Sequence, residues 1–224
     1  MADTALCPHH TRTPPRDDLF AQHVWTCLQQ QLQAASPPLW QAEDTAAPTT
    51  ALLARLVADK FCDQSISFSS LYAVFLAVLQ DTPHVMVSAA QDLHAYCTQT
   101  PDHTDYITPF LHSKGFQAVQ AYRLAHILWG NARHLSALHL QNRISEVTGI
   151  DIHPAAELGH RLVLGPGGGI VIGETTLVEN DVALMSDVTL GGTGKQTGKR
   201  HPTIGRGTLV GPGTQILGPI DIGE

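Results

Sequence analysis

From Asp151 to Glu224, small aliphatic residues recur every six positions, and most are followed by glycine or another turn-forming residue. Ile152, Leu158 and Leu164 form one series, Ile172, Val178 and Leu184 a second, and Ile204, Val210, Ile216 and Ile222 a third. A period of six matches neither the 3.6-residue turn of a helix nor the two-residue alternation of a half-buried strand. It matches a hexapeptide β-helix, in which the aliphatics fill a narrow interior and the residues between them turn the corners. Three hexads then make one triangular coil, and the coils stack by parallel strand pairing at about 4.8 Å.

The breaks in this register are as informative as the repeat. Between Leu164 and Ile172 the step lengthens, so extra residues are absorbed around Gly165-Pro166-Gly167-Gly168-Gly169. Between Leu184 and Ile204 the gap is far longer, and residues 191 to 202 are too polar and glycine-rich to form coil wall. They predict a loop extruded from the solenoid, and loops held on a rigid scaffold are where binding and catalysis concentrate.

The first half of the chain has helical periodicity instead. Leu19, Phe20, Val24, Leu28 and Leu32 predict a helix from Asp17 or Asp18 to about Ala35, ended by Ser36-Pro37-Pro38. A second follows Thr49-Thr50, with Leu52, Leu53, Leu56, Val57 and Phe61 inward. Phe68, Leu71, Tyr72, Phe75, Leu76 and Leu79 mark one buried stripe of a third, and Pro83 opens a fourth carrying Met86, Ala89, Ala90, Leu93 and Cys97. Residues 99 to 115, with two prolines and a closing glycine, predict a connector. Phe116 to about Trp129 and Arg133 to about Val147 predict a helical pair split by Gly130-Asn131. The organisation expected is a disordered tail over 1–16, an all-helical domain over 17–148 and a coil domain over 149–224.

Composition narrows the function. A formal charge of −7 leaves no basic stripe to neutralise phosphates, so nucleic acid is not an expected partner. Cys7, Cys27, Cys62 and Cys97 lack CxxC spacing, which predicts reduced thiols rather than disulfides or a zinc site. The thirteen histidines are scattered, and no metal site is expected. No apolar run reaches the roughly 18 residues of a membrane span and no secretory signal opens the chain, so a cytoplasmic protein without membrane contact is expected.

Several stretches taken together resemble the serine acetyltransferases of bacteria and plants. They are Gly115-Phe116-Gln117-Ala118-Val119-Gln120-Ala121-Tyr122-Arg123, Asp151-Ile152-His153-Pro154-Ala155-Ala156, Gly169-Ile170-Val171-Ile172-Gly173-Glu174-Thr175, Val188-Thr189-Leu190-Gly191-Gly192-Thr193-Gly194-Lys195 and Arg200-His201-Pro202. The resemblance implies an α+β fold with an all-α N-terminal domain before a left-handed parallel β-helix. It implies transfer of the acetyl group of acetyl-CoA to the hydroxyl of L-serine, giving O-acetylserine for cysteine biosynthesis, with no metal. It also implies a homotrimer, or a dimer of trimers through the helical half. By resemblance Asp151 is the aspartate that orients the catalytic base, and Arg200 and His201 hold the amino acid. Gly191, Gly192, Thr193, Gly194 and Lys195 contribute to the acetyl-CoA groove.

The chain departs from the family where the catalytic histidine is expected. A family stretch reading roughly Leu-Asp-His-Ala-Thr-Gly-Ile-Val is here Leu164-Gly165-Pro166-Gly167-Gly168-Gly169-Ile170-Val171. Pro166 stands for the histidine, Gly165 for a serine-binding aspartate, and Thr100 for a second such aspartate, with Asp102 two residues on. Proline has no ionisable side chain, so His201 becomes the candidate base. The alternative is a catalytically impaired or silent member that acts as a binding or regulatory subunit. The chain stops in a repeat at Gly223-Glu224, where the family continues to a tail that docks into O-acetylserine sulfhydrylase, so that association is not expected.

Overall fold

The computed structural model describes residues 17–35, 47–99, 105–195 and 197–223. The expected tail over 1–16, Thr100, Asp102 and Gln196 lie outside the described residues. The chain divides into two compact units, between Ser113 and Lys114.

The first unit contains α1 (Asp17–Ala34), α2 (Thr49–Phe61), α3 (Phe68–Asp81), α4 (His84–Gln99) and α5 (Ile107–His112). Asp17 and Asp18 sit in the first turn of α1, where carboxylates favour the positive end of the helix dipole. Ser67 caps α3, its hydroxyl accepting from the Ser70 N–H at 3.2 Å. Its stripe is narrower than the sequence predicts: Leu71, Phe75 and Leu79 are buried, whereas Phe68 is exposed. Two polar ties cross the apolar core, Trp25 Nε1 donating to the Met86 carbonyl at 3.1 Å and the Tyr106 N–H to Gln31 Oε1 at 2.9 Å. The connector predicted over 99–115 holds α5. Its Pro109 falls in the first turn, where no intrahelical N–H is needed and proline is tolerated.

The second unit opens with α6 (Lys114–Gly130) and α7 (His134–Thr148), which pack against each other. Gly149 ends α7 in the left-handed conformation, φ +72°. The solenoid follows, as β1 (Ile150–Ile152), β2 (Glu157–Leu158), β3 (Val163–Leu164), β4 (Ile170–Ile172), β5 (Leu177–Val178), β6 (Ala183–Leu184), β7 (Thr189–Gly191), β8 (Thr203–Ile204), β9 (Leu209–Val210), β10 (Gln215–Leu217) and β11 (Asp221–Ile222). The strands form three faces, ordered β1-β4-β7-β10, β2-β5-β8-β11 and β3-β6-β9, and every pairing is parallel.

The register bears out the hexads. Ile152 pairs with Ile172, Leu158 with Val178, and Leu164 with Leu184, so each predicted aliphatic stacks on its counterpart one coil on. Leu190 continues the first face between Ile172 and Ile216 and is fully buried, so the excursion begins after it. A second inward column, two residues before the aliphatics of the earlier coils, is equally buried: Ile150, Ala156, Leu162, Ile170, Thr176, Val182 and Val188; farther on Thr208 and Thr214 are half-buried and Ile220 is exposed.

By its internal contacts the second unit holds α6 and α7 together with the coil. Polar bonds tie them to it: the Tyr122 hydroxyl donates to the Ala156 carbonyl, Arg123 Nη2 to the Gly159 carbonyl at 2.9 Å, and His126 Nδ1 to the Pro154 carbonyl at 2.8 Å. Burial pushes the Tyr122 phenol well above its ordinary value, which keeps it a donor.

Candidate functional site

The excursion leaves the coil after β7 and returns as Lys199-Arg200-His201, and the corner after β4 receives it. The Thr175 hydroxyl oxygen accepts from the Arg200 N–H at 3.0 Å and the His201 N–H at 3.1 Å. Lys199 Nζ donates to the Thr175 carbonyl at 2.7 Å, and Arg200 Nη2 pairs with Glu174. The His201 ring is buried against Gly173, and a Cβ on that glycine would fall well inside van der Waals contact with the imidazole. Only glycine leaves room for the ring there.

This corner also decides which nitrogen of His201 carries its proton. Nδ1 lies 3.1 Å from the Thr175 N–H and 2.9 Å from its hydroxyl. A backbone N–H can only donate, so Nδ1 is an acceptor and the neutral ring carries its proton on Nε2. Nε2 lies against Gly173, where a Cβ would fall well inside contact, and near Gly192, where one would stand 3.4 Å away. In the neutral ring that nitrogen is therefore a hydrogen-bond donor. A general base needs its lone pair free, and here the Nδ1 lone pair of His201 is turned to Thr175.

The electrostatics agree with a neutral ring. Burial holds His201 below its ordinary value, reinforced by the Arg200 charge and opposed by Glu174. His153, on the corner one coil earlier, is lowered chiefly by burial, with Glu174 and Asp151 opposing. It too accepts at Nδ1 from a backbone N–H, that of Ala155 at 3.1 Å, and Trp129 stands edge to face against its ring at 5.1 Å. The hydrogen bond from Arg200 holds the Glu174 carboxyl below its usual range, so it is ionised at neutral pH.

The structure brings some of the predicted residues together. Gly192 sits beside Arg200 and His201, joining the predicted acetyl-CoA segment to the predicted amino-acid pair. Gly191 pairs with Leu217 on the coil wall, and Thr193, Gly194 and Lys195 are exposed, with Gly194 at φ +74°. Asp151 projects from β1 and accepts from Gln141 Nε2 of α7 at 2.7 Å. Sequence reasoning missed Gly173, Glu174 and Thr175 as partners of the excursion. The hexad register carried the signal, since it puts residues 173–176 on the corner from which the next coil throws out its loop.

Pro166 lies exposed on the turn between β3 and β4, with Gly168 and Gly169 in left-handed conformations beside it. The Gly167 N–H donates to Ser186 Oγ at 3.0 Å, and a Cβ on Gly165 would approach the Ser186 nitrogen to 2.7 Å. Among the described residues, no three His, Cys, Asp or Glu side chains converge as metal ligands.

Comparison with known proteins places this architecture. The family model for the N-terminal part of serine acetyltransferase matches residues 45–121. Serine acetyltransferase 2 of Arabidopsis thaliana is 46% identical over 168 residues, covering 75% of this chain and 52% of the relative. The structure of soybean serine acetyltransferase complexed with serine superposes with a TM-score of 0.83 at 35% identity, covering 95% of this chain and 88% of that one. The chain belongs to the serine acetyltransferase family. A serine acetyltransferase structure in complex with CoA matches comparably, with a TM-score of 0.82 at 36% identity over 93% of this chain and 88% of that chain. The fold is thus the family's α+β one, helices followed by a left-handed parallel β-helix. The chain spans about half the length of the Arabidopsis relative.

Proposed function

We propose that the chain binds acetyl-CoA and L-serine and transfers the acetyl group to the serine hydroxyl, yielding O-acetylserine and CoA at an attenuated rate. The observation that carries this reading is the meeting of Gly192 with Arg200 and His201 on one corner of the coil. It supports a site in which a CoA-contacting backbone lies beside a cation and a fixed N–H donor. Arg200 supplies charge for the amino-acid carboxylate. His201 Nε2–H donates to that carboxylate or to the oxygen of the thioester as negative charge develops on it.

The attenuation follows from residue 166. The attacking hydroxyl must lose its proton as the carbon–oxygen bond forms and the thiolate departs. Neither Pro166 nor the Nε2–H end of His201 accepts it. Loss of general-base assistance lowers a rate by about 10²- to 10⁴-fold, equivalent to about 3–5 kcal/mol in the barrier. Incubation of concentrated protein with acetyl-CoA and L-serine, read by mass spectrometry, tests the proposal. Serine-dependent O-acetylserine is expected, and its absence after long incubation would exclude the transfer.

Pro166 also favours a second reading, a binding subunit that holds CoA and assembles with an active relative. CoA binding by calorimetry without turnover, together with co-purification with such a relative, would select it. For assembly we propose a homotrimer, supported by apolar residues that face outward on the coil, Val171, Leu209 and Leu217. A sedimenting monomer would refute the trimer.

A further inference from the structure

The corner residue Thr175 spends every polar group it has on the returning end of the excursion. Its hydroxyl has one proton and two lone pairs. The lone pairs take the Arg200 and His201 N–H groups, and the proton is available to His201 Nδ1. Its own N–H points at the same Nδ1, and its carbonyl accepts from Lys199 Nζ. Two donors from one residue thus converge on one imidazole nitrogen, and the absence of a side chain at Gly173 gives the ring the room to meet them.

We propose that Thr175 is a positioning residue that fixes His201 as the Nε2–H tautomer and so determines that this histidine serves the site as a donor and not as a base. A proton on Nδ1 would face the Thr175 N–H directly, and its only relief, donation to Oγ1, is blocked by the two N–H groups that oxygen already accepts. The tautomer is therefore a property of the corner after β4, present before any substrate binds. The consequence for acetyl transfer rests on the proposed serine acetyltransferase activity, but the tautomer itself does not. Held this way, His201 turns its Nδ1 lone pair toward Thr175.

The test is nitrogen NMR on the whole protein labelled with ¹⁵N-histidine, at neutral pH and without substrate, the His201 signals being assigned by their loss in His201→Gln. The expected spectrum has an unprotonated Nδ1 and a protonated Nε2 for His201. A protonated Nδ1 in the natural protein would overturn the proposal outright, with no variant involved. Thr175→Ser keeps the hydroxyl and is expected to keep this spectrum, whereas Thr175→Val is expected to move the His201 nitrogens toward tautomer averaging. An unchanged His201 spectrum in a folded Thr175→Val protein would also overturn it. With turnover as the second readout, Thr175→Val is expected to raise the KM for serine several-fold, with rescue by serine at position 175. Absence of turnover in the natural protein, with the expected spectrum present, would remove the activity and leave the tautomer assignment standing.

Discussion

Thr176 places a hydroxyl in the inward column otherwise filled by Ile150, Ala156, Leu162, Ile170, Val182 and Val188. It is 1% exposed, and among the described residues its Oγ1 has no hydrogen-bond partner. Farther along the solenoid, Thr208 and Thr214 donate instead to the carbonyls of Gly205 and Gly211. Burying an unpaired hydroxyl costs about 1–3 kcal/mol by mutational measures. Thr176→Val, which keeps the shape and removes the polar atom, is expected to raise the urea midpoint by an amount equivalent to about 1 kcal/mol without changing the slope. The aliphatic column at period six was legible in the sequence because its members are chemically uniform. The second column was not, because alanine and threonine stand in it among larger residues. The pairing of His201 with Thr175 was equally hidden: 26 positions separate them, and only the stacking of coils makes them neighbours.

At the scale of elements, the turn between β3 and β4 holds both Gly165 and Pro166, where the resemblance implies an aspartate and a histidine. With Gly165 against the backbone of Met185 and Ser186, where a Cβ would come within 2.7 Å of the Ser186 nitrogen and 3.0 Å of the Met185 carbonyl carbon, the neighbouring coils must part to admit any side chain. Gly165→Asp, the change to the residue the resemblance implies, is expected to cost about 1–3 kcal/mol, as overpacking does. A fall in the thermal midpoint relative to the natural protein checks this, while Pro166→His, on an exposed position, is expected to leave the midpoint nearly unchanged. Glycines around Pro166 announced an irregular turn in the sequence, but nothing there showed how closely the next coil approaches it. The helical pair α6 and α7 makes the same point. Its 3.6-residue period allied it with the preceding helices, whereas bonds from Tyr122, Arg123, His126 and Gln141 attach it to the coil. Periodicity reports which element forms, and contacts report which core it serves.

Across the molecule, ionisable groups with perturbed values set a common direction for stability against pH. Folding lowers His153 and His201 from 6.5, chiefly by burial, and lowers Glu174 from 4.5 and Asp181 from 3.8, through hydrogen bonds from Arg200 and Arg161. Each group binds its proton less readily when folded, so its contribution is complete above the unfolded value and is lost as pH falls through the folded one. The thermal midpoint is therefore expected to decline on acidification in two stages, the histidines responding below 6.5 and the carboxylates below 4.5. A midpoint that rises between neutral pH and pH 5 would contradict the assignment of both rings as neutral.

The central claim is that the chain keeps the acetyltransferase scaffold and donor site but lacks the base at residue 166. The most direct measurement is the rate of CoA thiol release from acetyl-CoA by the natural protein and by Pro166→His, each with and without L-serine. A slow serine-dependent release by the natural chain, raised by about 10²- to 10⁴-fold in the variant, is the predicted result. Equal rates in the two proteins, including no release from either, would contradict it.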